Sequence, residues 1–343
     1  MRIASLAALI WASVAVAAQG FEVEERVFYP AENEQSVLSI ISTADREAFE
    51  PILLAFQSEN PGVSIDYTIT GTTDVMQAIQ DEGAVFDLAI SSAMDLQTKL
   101  ANDGFAQSYP GAPLGRLPDW ASWRNQLFAF TQEPAVLVVS TADFPGGITP
   151  RTRDELIAVL RAQPGKFRGR VGTYDVRRSG FGYLMATQDS RNSEAFWRLM
   201  EVMGRLDAKL YCCSGDMIRD VASGKLALAY NVLGSYARSQ KDLIEGFEII
   251  ELEDYVNVML RTALIPASAE NPADARRFID FLIGMGGRPE LVSQSGLPAI
   301  DTTSFDNNTA LRPIRFGPGL LVFLDQLRRS SFLKSWESAL LQE

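Results

Sequence analysis

Apolar and polar positions along this chain follow two alternating periods. Val37–Ile41 is a short apolar run of strand type, and Phe49, Ile52, Leu53 and Phe56 then recur at the i, i+3, i+4, i+7 spacing of a helix that buries one face. Pro51 falls inside that spacing. Proline is tolerated in the first helical turn, so the helix is predicted to begin just before it. Asn60-Pro61-Gly62 closes the unit, and Val63–Thr70 alternates as a second strand. The rhythm continues with a helix over 74–82, a strand over 86–90 and a helix over 95–102. Strand and helix in alternation predict a parallel α/β sheet. The polar, acidic stretch before Ser36 is predicted to be loosely ordered.

From Leu127 to Ser140 the chain is strongly apolar, broken only by Glu133-Pro134, and reads as strands crossing between two lobes. Pro145-Gly146-Gly147 and Pro150 punctuate the entry to a second set of units: helices over 152–163, 193–205 and 214–222, and strands over 169–174 and 226–232. Residues 255–266 return as an apolar strand, 272–283 are helical, and 319–341 carry one or two amphipathic helices. The expected division is a leader over 1–18, a first lobe over 36–137, a second lobe over 138–256, and a return to the first lobe with C-terminal helices over 257–343. The fold class is α/β: two α/β lobes joined by crossover strands with a cleft between them. Ligands of open α/β sheets sit at the carboxyl ends of the strands, which in such a molecule face the cleft.

The leader changes the picture of where the chain works. Met1-Arg2, an apolar run over 3–16 and the small-x-small pattern Ala15-Val16-Ala17 predict an export signal cleaved near Ala17 or Ala18. The run is short for a membrane span, which needs roughly 20 apolar residues. A net charge of −12 argues against non-specific nucleic-acid binding. The absence of histidine removes Ser-His-Asp triads, Cys-His dyads and His-ligated zinc together. The two cysteines are adjacent, Cys212 and Cys213. A disulfide between neighbours stays open in an oxidising compartment but is geometrically demanding, and two small, half-buried residues beside a binding loop are the favoured expectation. Asp216 and Asp220, one helical turn apart, read as a solvated face, and no catalytic residue, metal site or cofactor is expected.

Several segments carry a resemblance. Ser39–Ala44, "AFQSENPGVSIDY" (55–67), "TGTTD" (70–74) and "FDLAISSAMD" (86–95) resemble the periplasmic solute-binding proteins of ABC transporters, in the two-crossover branch that contains ferric-iron and sugar-phosphate binders. The segments 172–189, 210–237 and 312–333 are similar to a narrower group linked to sensor kinases, that of the phosphoglycerate transport regulatory proteins. The resemblance implies a bilobed periplasmic binding protein, acting as a monomer and not as an enzyme, whose partner is an ABC permease or the sensor domain of a histidine kinase. Iron binders of this branch use a neighbouring tyrosine pair. Here the comparable place reads Tyr211-Cys212-Cys213, which favours an anionic organic ligand over ferric iron. A carboxylate-based exported hydrolase is the alternative of another class.

Four loops lie between a predicted strand and a predicted helix: Ser42-Thr43, Gly71-Thr72-Thr73, Ser91-Ser92 and Ser214-Gly215. Each is also what an ordinary helix cap looks like. Converging on one cleft, their hydroxyls and free backbone N–H groups would form an anion site without needing full charges. Arg177 and Arg178, followed by Ser179 and Gly180, supply guanidinium groups that bind carboxylate or phosphate in bidentate fashion. Asn231, Ser235 and Tyr236 follow another strand and could fix ligand hydroxyls. The candidate ligand-binding set is therefore Ser42, Thr43, Thr72, Thr73, Ser91, Ser92, Arg177, Arg178, Ser179, Ser214, Gly215, Asn231, Ser235 and Tyr236. Trp120 and Trp123 either line the cleft or pack in a core.

Overall fold

The computed structural model describes residues 20–147, 149–241 and 243–342; the expected leader lies outside them. The chain opens with β1 (Val23–Tyr29), β2 (Ser36–Ser42), β3 (Val63–Thr70) and β4 (Leu88–Ser91), followed by the short β5 (Ser122–Trp123) and β6 (Leu127–Ala129). Then come β7 (Glu133–Ser140), β8 (Val171–Tyr174), β9 (Lys209–Tyr211), β10 (Leu228–Leu233), β11 (Phe247–Ile250), β12 (Val256–Met259), β13 (Thr262–Leu264) and β14 (Leu311–Pro313). They form two sheets, one in the order β1-β3-β2-β4-β13-β6-β5, the other β14-β12-β7-β10-β8-β9 with β11 also on β7.

The first sheet is parallel where the sequence alternates strand with helix: β2 pairs β3 and β4 in parallel. The helix Arg46–Glu59 buries Phe49, Ile52, Leu53 and Phe56 against it. Phe49 stacks on Tyr67 with ring centroids 5.5 Å apart, and Phe56 meets Phe278 edge-on at 4.7 Å. Each such buried apolar side chain contributes roughly 1.5–3 kcal/mol, which makes this helix a main tie of the first lobe. It starts a turn earlier than the proline rule predicts, so Pro51 lies in its second turn. The Arg46–Glu50 ion pair at 2.9 Å holds the extra turn.

The stretch before Ser36 is also ordered, contrary to expectation. β1 runs antiparallel along β3, with Tyr29 buried and Arg26 Nε donating to Asp66 Oδ1 at 2.8 Å. As the edge strand it exposes Glu24, Glu25 and Arg26, charges that guard a free strand edge, along with Val23 and Phe28.

Between the sheets the chain crosses twice. It leaves the first through β6 and enters the second through β7, then returns through β12 and β13, the two crossings pairing antiparallel. Arg261 and Glu133 sit side by side on these crossings, both fully buried. Arg261 Nε donates to Glu133 Oε1 at 2.9 Å and Nη2 donates to Oε2 at 3.1 Å. The chain then visits the second lobe again, where Phe332, Trp336 and Leu340 of the helix Gln326–Leu340 pack in its core. Among the described residues no helix is long and apolar enough to cross a membrane.

Candidate functional site

A cavity of about 550 Å³ opens between the lobes. Carboxyl ends of strands and starts of helices from both lobes line it. Of the candidate residues, Thr43, Thr72, Thr73, Ser92, Arg177, Arg178, Ser179, Ser214, Gly215 and Tyr236 are brought together there.

Their positions follow from local structure. Ser179 precedes the helix Gly180–Asn192 and its Oγ accepts the Gly182 N–H at 3.1 Å. Gly182 is required at that point, since a Cβ there would lie 2.3 Å from Tyr174 Cβ. Ser214 opens the helix Ser214–Ala222; its Oγ accepts the Leu233 N–H at 3.2 Å and shares a hydrogen bond with the Tyr174 hydroxyl. Both helices present the partial positive charge of their first turns to the cavity. Thr43 Oγ1 accepts the Ser92 N–H at 3.2 Å, which ties two loops of the first lobe. The lobes themselves touch where the Asp45 N–H donates to the Tyr236 hydroxyl at 3.1 Å.

Four predicted residues lie elsewhere. Ser42 and Ser91 are buried caps: Ser42 Oγ accepts the Ala44 N–H and the Tyr67 hydroxyl, and Ser91 Oγ accepts the Ala93 N–H. Ser235 is buried and donates to Glu133 Oε2 at the crossing strands. Asn231 adopts a left-handed backbone, φ 63°, where the β10–β7 register shifts, and this bulge turns its amide into the second lobe. There Asn231 Nδ2 donates to Asp189 Oδ2 at 2.7 Å, beside Tyr230, Asn257 and Arg153 in a closed buried network. Trp120 packs edge-on against Phe305, and Trp123 lies under Arg124; neither lines the cavity.

The cysteines correct a second expectation. Cys212 and Cys213 are bonded to each other and exposed, and both face the cavity. Tyr211 donates to Asp220 Oδ2 at 2.7 Å and is not part of the cavity wall. Among the described residues no group of three or more cysteine, aspartate and glutamate side chains is placed to hold a metal ion. Asp216 pairs with Arg219, and Asp220 with Lys225 at 2.8 Å, the solvated face the sequence indicates.

Residues 38–294 match the family model described as bacterial extracellular solute-binding protein. This chain belongs to that family. The substrate-binding protein of an ABC transporter from Agrobacterium tumefaciens is 33% identical, with a TM-score of 0.88 over 94% of this chain and 99% of that one. AfuA from Actinobacillus pleuropneumoniae, with exogenous fructose-6-phosphate bound, is 15% identical with a TM-score of 0.70 over 90% and 100% of the two chains. Iron-bound HitA from Pseudomonas aeruginosa is 16% identical with a TM-score of 0.68 over 89% and 99%. These last two share the fold. Among curated proteins no match was found. The bilobed binding-protein fold and the membership of a solute-binding family thus agree with the resemblance read in the sequence.

This solute-binding protein also has cavity residues that the sequence does not single out. Arg261 forms part of the floor. Two of its nitrogens bind Glu133, while the buried Nη1 has no hydrogen-bond partner among the described residues. Glu22, Glu24, Asp45 and Asp74 line the wall as well. Arg177 is engaged within its own loop, Nε donating to Asp175 Oδ1 at 2.8 Å and Nη2 to Oδ2 at 2.7 Å. That pair holds the Asp175 carboxyl below its usual range despite burial. Arg178 is exposed at the cavity and makes no side-chain hydrogen bond or ion pair among the described residues.

Proposed function

We propose that this solute-binding protein captures a small organic anion, a phosphorylated compound or an organic acid, in the cleft between its lobes. The observation that carries the reading is the pair of arginines with unused donors at the cavity. Among the described residues the Arg178 side chain makes no hydrogen bond or ion pair, and the Nη1 of buried Arg261 lacks an acceptor. A buried donor left unmade costs about 1–3 kcal/mol, so an acceptor arriving with the ligand recovers energy the empty site forgoes. Guanidinium groups suit carboxylate and phosphate geometry. The first turns at Ser179–Gly182 and Ser214–Gly215 add N–H dipoles of the same sign. The fructose-6-phosphate bound to AfuA is compatible with this class.

Closure is a hinge motion about the paired crossings β6–β7 and β12–β13, and the closed molecule presents a new surface to an ABC permease or a sensor-kinase domain. The protein acts in the periplasm as a monomer, after removal of the leader near Ala17 or Ala18.

A thermal-shift screen of the chain without its leader tests the reading. The panel is 3-phosphoglycerate, glycerol 3-phosphate, fructose 6-phosphate, succinate, sulfate and ferric citrate. A ligand at 100 times its dissociation constant adds about 2.7 kcal/mol to stability. A clear shift with an organic anion, recovered unchanged afterwards, is the expected result. A shift with ferric ion alone, or turnover of the bound compound, would overturn it.

A further inference from the structure

The guanidinium groups account for only part of the cavity wall. Glu22 and Glu24 at the start of β1, Asp45 at the cap of the helix Arg46–Glu59, and Asp74 line the same space. None of these four carboxylates forms an ion pair among the described residues, whereas Arg177 is paired with Asp175 and Arg261 with Glu133. The acidic groups instead face one another. Burial, followed by repulsion from Asp45, Asp74, Glu22 and Asp216, pushes the Glu24 carboxyl above its usual range. Arg261 and Arg219 attract Asp45, but burial outweighs them and its carboxyl is also raised. A concentration of like charge that forms no ion pair among the described residues is unfavourable in the empty molecule and is relieved by an arriving cation.

An independent feature points to a ligand group in the same cavity: the Nη1 of Arg261, a fully buried side chain among the cavity-lining residues, has no hydrogen-bond partner among the described residues. The two features have opposite sign and share one enclosure.

We propose that the ligand is a zwitterion, whose anionic group is held by Arg178 and Arg261 and whose ammonium group is held by the carboxylates Glu22, Glu24, Asp45 and Asp74. The inference rests on the anion reading above and narrows it. A cavity of about 550 Å³ accommodates a small molecule carrying both charges a few bonds apart. Pairing the ammonium with the carboxylates explains how an acidic wall coexists with an anion site. It also gives selectivity, since an anion of the same shape without the amine meets uncompensated repulsion.

Calorimetric titration with matched probes tests this. O-phosphoethanolamine is compared with ethyl phosphate, 5-aminovalerate with valerate, and putrescine supplies cations without an anion. The expected result is that the amine-bearing member of at least one pair binds tenfold or more tightly than its amine-free partner. Glu24→Gln should then narrow the gap, weakening the amine-bearing probe at least fivefold and tightening the amine-free one. Equal affinity within both pairs, or preference for the amine-free member, overturns the zwitterion and leaves the anion reading standing. Binding of putrescine alone overturns both. Binding of none of the five overturns the zwitterion, and the anion reading is then decided by the thermal-shift panel.

Discussion

Thr72 Oγ1 accepts a hydrogen bond from the Gly180 N–H at 2.8 Å across the cleft, joining residues 108 positions apart in the chain. The contact requires glycine: a Cβ at position 180 would lie 2.9 Å from Thr72 Oγ1 and 3.0 Å from Leu96 Cδ1. With the Asp45–Tyr236 contact at 3.1 Å, it defines how closely the lobes approach.

Gly180→Val should therefore hold the lobes apart. Its branched side chain would collide with the first lobe while leaving each lobe's own core intact. Small-angle scattering is expected to give a larger radius of gyration for the variant than for the parent protein in the presence of the best panel ligand, with affinity lowered at least tenfold. Thr72→Ser, which keeps the acceptor, should retain both the compaction and the affinity. An unchanged scattering curve for Gly180→Val would remove this contact from the closing motion.

The sequence displays Thr72 and Ser214 because strand end, hydroxyl and helix start follow one another, so their place at the cleft follows from topology alone. The same signal misleads at Ser42 and Ser91, whose hydroxyls are satisfied within two residues and turn inward. Asn231 misleads for another reason: a β-bulge, which no local composition announces, redirects its side chain to Asp189. Arg261 is invisible because its role depends on Glu133, 128 residues away, brought alongside only when the crossings pair. Glu22 and Glu24 are missed because their segment looks like a polar tail, and only pairing with β3 lays it along the cleft. Periodicity within one element is readable; the sign of charge in a site assembled from distant elements is not.

The Glu133–Arg261 pair is predicted to hold the crossings together. Both groups are fully buried, and removing one partner leaves an uncompensated charge, a loss of about 3–5 kcal/mol. Glu133→Ala should lose about that much stability in urea denaturation followed by tryptophan fluorescence. The double variant Glu133→Leu with Arg261→Met, which removes both charges and keeps the volume filled, should recover most of it. A double variant as unstable as the single would show that packing, not the unpaired charge, sets the cost.

The Cys212–Cys213 bond should influence the cleft more than overall stability. It joins neighbours and encloses no intervening chain, so it constrains the unfolded state little. Yet Cys213 is the cap residue of the helix Ser214–Ala222, and both cysteines form cavity wall. Replacing both with serine is expected to change unfolding free energy by no more than about 0.5 kcal/mol, the range of ordinary surface substitutions. Affinity for the best panel ligand should fall several-fold. Reduction of the parent protein with dithiothreitol should reproduce the effect, and unchanged affinity after verified reduction would remove the bond from the recognition surface.

Asp95 gives the molecule a pH dependence of unusual sign for a carboxylate. It is buried at the start of the helix Met94–Asn102, and burial pushes its carboxyl up to about 7; the Leu96 N–H at 3.0 Å and the more distant Arg329 offset this only in part. The unfolded chain loses this proton near pH 4, the folded chain near 7. Between those values the folded state binds the extra proton, so stability from this group is present at low pH and falls as pH rises, by about 1.4 kcal/mol per pH unit. The slope ends above the folded value. Asp95→Asn keeps an oxygen acceptor for the Leu96 N–H and cannot ionise. Its unfolding free energy relative to the parent should therefore rise by a few kcal/mol between pH 5 and pH 8. Comparing the two proteins at each pH cancels carboxylates of the opposite kind, such as Asp103 and Asp220, held below their usual range by Lys99 and Lys225. A difference that stays constant from pH 5 to 8 would mean that Asp95 carries its charge in the folded protein across the whole interval.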